Sequence, residues 1–372
     1  MQFSEVIGQH HLKQLLINEI NSKKISHAKL FLGKEGHGVL PLALAYVQYL
    51  FCKNKQENDS CGTCDSCLKV QNLQHPDLHF IYPIALAEKK SCADLYPKWR
   101  SKIKENPYFS LEDWTNFIDP KGRRLIIGVD ASTEILKSLT LKAFEGRQRV
   151  VVIWMAEEMN DSAANKILKV LEEPPLGTYF ILVGRQHDKF LTTILSRTQF
   201  YRVPKIETTD LSIHLREAFE LNISKADSIT LRSEGDYLEA VQMLHDSSDI
   251  NEERELFIEL MRSCYKKDVN KMLDWCENMD QYNKEFQKNF LMYCLYMMRQ
   301  SLMKNYTDDV LMRASNEEAE FLKNFARFIS GNNIADFNDM FSKAYYYIER
   351  NANTKLIFTN ICFNVMRYIH AA

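Results

Sequence analysis

The 372-residue chain has 45% hydrophobic residues and a formal net charge of −2. It is too long for one ordinary hydrophobic core, so we expect two or three domains. A nearly neutral chain does not bind nucleic acid by bulk electrostatics, which restricts any DNA contact to a local surface or to partner proteins. No apolar stretch approaches a membrane span, and the first residues lack the basic and apolar parts of a signal peptide, which predicts a cytoplasmic protein without a membrane partner.

The prolines and glycines divide the chain into two regions. All nine prolines lie at or before Pro204, and only two of the twelve glycines lie beyond it. This distribution predicts an α/β domain over 1–203, in which turns separate strands and helices. We expect a small helical domain over 204–248 and an all-helical domain over 249–372.

A glycine loop has the layout of a phosphate-binding loop. It is Gly33-Lys34-Glu35-Gly36-His37-Gly38, between a predicted strand at 28–32 and a predicted buried helix at 41–51. Backbone N–H groups in such a loop can hold an anion, and the candidates are Gly33, Gly36 and Gly38. In the motif G-x-x-x-x-G-K-[ST], however, Val39 replaces the phosphate-binding lysine and Leu40 replaces the Mg²⁺-binding hydroxyl. We therefore predict a degenerate phosphate loop that does not support hydrolysis; a simple glycine turn is the alternative.

Four cysteines follow in the pattern C-x8-C-x2-C-x2-C, namely Cys52, Cys61, Cys64 and Cys67. Thiols stay reduced in the cytoplasm, so clustered cysteines indicate a metal and scattered ones indicate core packing. Four thiolates this close predict a closed tetrahedral zinc site that orders a segment too short to build a core. An iron–sulfur cluster and a redox pair are the alternatives, and His75 is either an additional ligand or a turn residue.

Residues 84–124 form an extended excursion with weak periodicity. Its aromatic residues are expected to pack on the flank of the domain, or alternatively to meet a partner or single-stranded DNA beside nearby lysines. A strand is expected at 125–127 and a helix at 130–144.

A strand–helix–strand unit is predicted around the motif Ala163-Ala164-Asn165. Apolar runs at 150–153 and 179–183 predict buried parallel strands, and the helix between them begins at Asn160 or Asp161 and ends before Pro174-Pro175. The sequence Leu195-Ser196-Arg197-Thr198 follows, and we expect it at the carboxyl edge of the sheet. Arg197, with Ser196 beside it, is the candidate catalytic residue.

Together these features resemble the bacterial DNA polymerase III clamp-loader subunits of the AAA+ class. The resemblance covers about two thirds of the chain and rests on several short motifs: Val6-Ile7-Gly8-Gln9, Ser26-His27-Ala28, the four cysteines, Ala163-Ala164-Asn165, Leu171-Glu172-Glu173-Pro174-Pro175 and Ser196-Arg197-Thr198. Thr198 departs from the cysteine of the family motif, and the excursion is longer than the family implies. The resemblance implies a P-loop-type AAA+ domain with a parallel sheet, a helical lid and a helical collar.

The resemblance also implies a role. Trp154 and Met155 replace the acidic pair of the ATPase members, Gly184 replaces a polar sensor residue, and Leu238 replaces the arginine of the lid. A subunit without these groups but with Ser196-Arg197 is expected to give Arg197 in trans, as an arginine finger, to ATP bound by a partner. An internal salt bridge is the alternative for Arg197.

The expected partners are the clamp-loader ATPase subunits of the tau/gamma kind, the delta subunit, the sliding clamp and, through the assembled complex, primed DNA. The chain would have no intrinsic ATPase activity but would belong to the DNA polymerase III holoenzyme. An active tau/gamma-type ATPase and a zinc-dependent nucleic-acid-binding adaptor are the alternative functions.

Overall fold

The structure is a computed structural model that describes residues 1–85, 91–140, 144, 148–245, 250–306, 314 and 316–370. It contains two compact units, Met1–Glu220 with Ser233–Glu239, and Leu221–Arg232 with Ala240–Ala372. Each unit has its own hydrophobic core. The division into three domains at 203 and 248 stays a prediction. Within the described residues, none of the helices has the length and apolar character needed to cross a membrane.

The first unit is built on five parallel strands. They are β1 Ala28–Leu32, β2 Leu78–Ile81, β3 Arg149–Trp154, β4 Thr178–Gly184 and β5 Gln199–Arg202. The sheet order is β2-β3-β4-β1-β5, with β1 in register from Ala28 opposite Phe180 to Leu32 opposite Gly184. All residues of β1 and β3 are buried, as expected for strands covered by helices on both faces. The predicted α/β class with a parallel sheet is confirmed, as are the strands predicted at 28–32, 150–153 and 179–183.

The strand predicted at 125–127 is wrong. Ile126 makes an isolated antiparallel bridge to Ile84, and Ile127 makes an isolated parallel bridge to Met159. Each contact is a single isolated bridge and not part of a ladder, so these residues do not form a strand.

Nine α-helices begin and end among the described residues of the first unit. They are α1 His10–Asn21, α2 Val39–Phe51, α3 Asp65–Gln71, α4 Cys92–Glu105, α5 Leu111–Ile118, α6 Val129–Thr140, α7 Asp161–Glu172, α8 Thr192–Leu195 and α9 Thr208–Phe219. The Asn160 side chain caps α7 by accepting a hydrogen bond from the Ala163 N–H at 2.8 Å, as predicted. Helix α2 is buried over 39–50, and Pro41 is tolerated there because it lies in the first turn.

The described part of the excursion folds into α4 and α5. Each begins with a capping box, Ser91 with Asp94 and Ser110 with Asp113, which fixes its start despite weak periodicity. Trp99 and Trp114 are fully buried and pack edge to face, with ring centroids 5.3 Å apart. The alternative that these aromatic residues are exposed for a partner is therefore wrong for both tryptophans.

The remaining helices form the second unit, apart from residues 237–239 of α11. They are α10 Ile223–Arg232, α11 Tyr237–His245, α12 Ile250–Lys266, α13 Val269–Gln281, α14 Lys284–Tyr306, α15 Asn316–Phe325, α16 Ile334–Glu349 and α17 Thr354–His370. The scattered cysteines of this unit lie in its core, as predicted: Cys264, Cys276, Cys294 and Cys362. The helical carboxyl-terminal region implied by the resemblance is confirmed.

Candidate metal centre and glycine-loop site

Four cysteines converge at the end of the buried helix α2. Cys52 directly follows α2, Cys64 is the N-cap residue of α3, and Cys67 lies in the first turn of α3. Cys61 comes from the loop between the two helices. The four sulfur atoms all lie within 4.8 Å of one another, so two helix ends and one loop bring the predicted ligand set together.

The spacing of the thiols fits a tetrahedral metal site. The Sγ atoms of Cys52 and Cys61 are 3.6 Å apart, and those of Cys61 and Cys67 are 3.9 Å apart. Four thiolates around one zinc would be about 3.8 Å apart, given Zn–S bonds of about 2.3 Å. A disulfide needs about 2.05 Å, and all four cysteines are free. The cluster can therefore hold a metal ion such as zinc.

The protein environment shifts the pKa values of these thiols in different directions. Hydrogen bonds from the backbone N–H groups of Thr63 and Cys64 lower the pKa of Cys61 to about 6. Burial raises the pKa of Cys52 and of Cys67. Cys61 is thus the thiol most easily ionised, whereas Cys52 and Cys67 need a bound cation to lose their protons near neutral pH.

The loop that carries Cys61 is attached to the amino-terminal segment. The Asp59 carboxylate accepts hydrogen bonds from the backbone N–H groups of Phe3 and Ser4, each at 2.9 Å. His75 is not part of the metal cluster found among the described residues. Its Nδ1 accepts a hydrogen bond from the Asp77 N–H at 3.2 Å, and its ring stacks on Phe51. Of the two alternatives for His75, an additional ligand or a turn residue, the structure supports the turn residue.

The glycine loop lies at the carboxyl end of β1 and has almost no free space beside it. Glu35–His37 form one turn of 3₁₀ helix, and Gly38 has a left-handed φ of 82° immediately before α2. The cavity next to the loop has a volume of about 10 Å³, the lower limit for one water molecule. Its walls are Gly33, Glu35, Val39, Leu40, Pro107, Phe109, Trp154, Met155, Val183, Gly184 and Arg185.

Carboxylates surround the same loop. Arg185, which follows β4, contacts Glu35 at 3.4 Å, Glu157 at 3.4 Å and Glu158 at 3.5 Å. Burial raises the pKa of Glu157, whose side chain has no solvent exposure. Both Glu157 and Glu158 are thus held by this arginine.

The loop lacks the side chains with which the motif binds a nucleoside triphosphate and Mg²⁺. Val39 and Leu40 are buried and apolar where a lysine and a Mg²⁺-binding hydroxyl are needed. The Asp236 carboxylate lies against Gly36, so close that a Cβ there would overlap it. A Cβ on Gly184 would lie 2.6 Å from the Glu157 carboxylate, which leaves no room for a polar side chain at this position.

Arg197 lies at the amino edge of the sheet, and the prediction of the carboxyl edge is wrong. Helix α8 returns the chain from the end of β4, so that Arg197 precedes β5, whose Gln199 is opposite Lys29. Arg197 is therefore about six strand positions, or roughly 20 Å, from Gly33 at the other end of β1. This distance puts the phosphate loop of the same chain beyond its reach.

The contacts of Arg197 are with its own chain. Its Nη2 is 2.6 Å from Oε1 of Glu172, at the end of α7. Its Nη1 donates hydrogen bonds to the Thr193 carbonyl at 3.0 Å and to Ser196 Oγ at 3.1 Å. The alternative of an internal salt bridge is thus present, while both side chains stay partly exposed, 34% for Arg197 and 50% for Glu172. The finger role of Arg197 stays a prediction.

Some residues of both sites were missed by sequence reasoning. Glu172 lies inside the quoted motif Leu171-Glu172-Glu173, so its place near Arg197 had a signal. Arg185 directly follows Gly184, the sensor position, and could have been noted for that reason. Tyr108 was one of the aromatic residues of the excursion, but no pattern in the sequence linked it to the glycine loop.

Comparison with known proteins identifies the relatives of this chain. The family model described as DNA polymerase III, delta subunit, matches residues 8–207. The DNA polymerase III subunit delta prime of Bacillus subtilis is 29% identical over 191 residues, which are 51% of this chain and 46% of that protein. The delta prime subunit of Escherichia coli is 30% identical over 175 residues, 47% of this chain and 41% of that protein.

The matches cover less than half the length of these relatives. Among solved structures, a DNA polymerase III gamma subunit-related protein of Thermotoga maritima is similar at 17% identity and a TM-score of 0.36, over 95% of this chain and 99% of that chain. The family model spans more than half of the sequence and includes the glycine loop, the four cysteines and Ser196-Arg197. This chain therefore belongs to the DNA polymerase III delta subunit family, among relatives named delta prime.

Proposed function

We propose that this chain is a delta prime-like clamp-loader subunit that hydrolyses no ATP and gives Arg197 to ATP bound by a neighbouring subunit. Its role in the holoenzyme is to help load the sliding clamp onto primed DNA during replication. The observation that carries the proposal is the filled glycine-loop site. A subunit with little space beside its loop, and without the lysine and hydroxyl of the motif, can contribute to ATP hydrolysis only at the site of another subunit.

The position of Arg197 supports action in trans. It lies roughly 20 Å from its own glycine loop and keeps a third of its side chain exposed. A planar guanidinium that is always charged suits the charge that spreads over phosphoryl oxygens during transfer. Ser196 accepts one hydrogen bond from Arg197 and so positions the guanidinium.

The salt bridge to Glu172 does not prevent this role. An ion pair with both partners partly exposed contributes about 0–1 kcal/mol. An arginine finger accelerates phosphoryl transfer by about 10³ to 10⁵, which corresponds to about 4–7 kcal/mol of transition-state stabilisation. Exchanging the Glu172 carboxylate for a γ-phosphate is therefore favourable once a neighbour presents ATP, and Glu172 holds Arg197 in place until then.

For the four cysteines we propose one structural zinc ion. The thiol spacing fits this ion, and four protein ligands leave no open position for catalysis. Zinc would join the end of α2 to the start of α3 and fix the intervening loop. The metal would therefore act on the folding of residues 52–67 and not on chemistry.

The proposed partners follow from the family. The chain is also 24% identical over 213 residues, 57% of its length, to a protein of Haemophilus influenzae named DNA polymerase III subunit tau/gamma, of which the match covers 25%. We propose a tau/gamma-type ATPase as the neighbour, with the delta subunit and the sliding clamp as further partners, in the cytoplasm. In this proposal 204–248 act as a lid and 249–372 as the collar that joins the ring.

Reconstitution tests the proposal. The purified chain with MgATP is expected to give no turnover above background, whereas its addition to the tau/gamma and delta subunits of the same organism is expected to raise DNA-stimulated turnover. ATP hydrolysis by the isolated chain would instead indicate an active ATPase. Co-purification without any ATPase partner would favour the adaptor.

A further inference from the structure

The segment Asn106–Phe109 connects α4 to α5 and fills the space beside the glycine loop. Phe109 is 3% exposed and packs against Trp154, with ring centroids 5.0 Å apart. Pro107 and Phe109 both line the small cavity that remains next to Val39. The excursion thus places its own chain against the loop, at the carboxyl ends of the strands where α/β proteins bind ligands.

Tyr108 connects this segment to three other parts of the same unit. Its hydroxyl accepts a hydrogen bond from the Ile7 N–H at 2.9 Å, so it is joined to the amino-terminal segment. Its ring lies over Gly38, where a Cβ would be 3.1 Å away. The ring of Tyr237 is 4.8 Å from it, centroid to centroid. Tyr108 is only 6% exposed, which makes it an internal anchor of the site.

Several carboxylates lie around the loop and disfavour an anion there, and Arg185, which lines the small cavity, is paired with Glu35 and Glu157. Glu35 accepts a hydrogen bond from the Leu111 N–H at 3.4 Å, at the start of α5. Asp236 lies against Gly36, and Glu157 is buried beside Gly184. An incoming phosphate would have to displace packed aromatic rings and also approach these carboxylates.

We propose that Asn106–Phe109 is a built-in plug that occupies the nucleotide site, and that Tyr108 is its positioning residue. The plug takes over the structural task of a ligand: it holds the Ile7 segment, the glycine loop and the residues around Tyr237 together without ATP. The plug rests on the proposed function in one respect only: both proposals hold that this chain does not bind a nucleotide itself. The site is then permanently in one state, whatever the ATP concentration.

Amide hydrogen exchange on the full chain tests the plug. Tyr108→Phe keeps the ring and removes the acceptor of the Ile7 N–H. The matched control is Tyr82→Phe, since Tyr82 is fully buried and donates one hydrogen bond to the Cys92 carbonyl. We expect the Ile7 amide, and peptides of the glycine loop, to exchange about two- to tenfold faster in Tyr108→Phe. The Tyr82→Phe variant should leave them unchanged.

Two results would overturn the plug. One is an Ile7 exchange rate that Tyr108→Phe leaves at the wild-type value, or that Tyr82→Phe raises equally. The other needs no variant: protection of the Ile7 segment and glycine loop in the wild-type chain on addition of MgATP would show that nucleotide enters. The test does not measure turnover, so a failure of the Arg197 proposal would leave the plug standing, and the reverse also holds.

Discussion

Replacing Arg197 by alanine separates the two roles open to this residue. The substitution removes an ion pair whose partners are 34% and 50% exposed, and two hydrogen bonds to Thr193 and Ser196. The free energy of unfolding should therefore fall by no more than about 1 kcal/mol. If Arg197 is a finger, the same change removes about 4–7 kcal/mol of transition-state stabilisation at the neighbouring site. Activity should thus fall far more than stability.

The assay is single-turnover ATP hydrolysis in the reconstituted clamp loader. Only the subunit beside this chain should carry a functional nucleotide site, because other active sites would hide the loss. We expect the rate to fall by about 10³ to 10⁵ with Arg197→Ala. Thermal unfolding of the isolated variant checks that the chain is intact, and gel filtration checks that the complex assembles.

Glu172→Gln is the matched control, because it breaks the same ion pair and keeps the guanidinium. A finger released from Glu172 should keep its rate or gain at most about fivefold, the equivalent of 1 kcal/mol. If Arg197→Ala and Glu172→Gln lower the rate equally, the ion pair is the functional unit. That result, or an unchanged rate with Arg197→Ala in an assembled complex, would refute the finger.

Three further predictions concern the two sites. Metal analysis should find one zinc ion per chain, and chelation or the Cys67→Ser substitution should remove it. Cys92→Ser should keep the zinc, because Cys92 is buried but lies outside the cluster. Finding iron, or no metal, would contradict the zinc site. Trp154→Ala should lower the free energy of unfolding in urea by about 3–5 kcal/mol, since Trp154 is 1% exposed, and a loss below 1 kcal/mol would contradict its packing. Gly38→Ala should lower the free energy of unfolding by about 1–2 kcal/mol because the backbone of Gly38 is left-handed. The loss should exceed that in Gly122→Ala, because Gly122 also has a positive φ but, among the described residues, nothing within 4 Å of the position where a Cβ would lie, whereas Gly38 contacts Tyr108; equal losses would contradict that contact.

The parts of the molecule that depend on neighbouring residues could be predicted from the sequence. The thiol spacing identified the metal cluster because two helix ends and a short loop bring the cysteines together. The run 150–153 predicted a buried strand because β-branched residues favour a sheet covered on both faces. The glycine loop was predicted correctly between a strand and a buried helix. Val39 and Leu40 already indicated that the phosphate-binding lysine and the Mg²⁺-binding hydroxyl are absent.

The contacts between distant segments could not be predicted. Tyr108 and Ile7 are 101 residues apart, and Arg185 and Glu35 are 150 apart, so no local pattern links them. Arg197 was assigned to the wrong edge because the sequence does not show that α8 carries the chain back to the start of β5. The two helices of the excursion were not predicted because the capping boxes at Ser91 and Ser110 were not recognised as helix starts.

The attachment of Asp59 to Phe3 and Ser4 links the two sites of the first unit. Without a bound metal, the loop that carries Asp59 would lose its fixed conformation. The hydrogen bonds that the Asp59 carboxylate accepts from the Phe3 and Ser4 N–H groups would then be lost as well. Ile7 lies only a few residues later and donates a hydrogen bond to Tyr108, whose ring packs against Gly38. Disorder of the first residues would therefore reach the glycine loop. Removing a metal from the cysteine cluster would then be expected to increase amide exchange in the glycine loop as well.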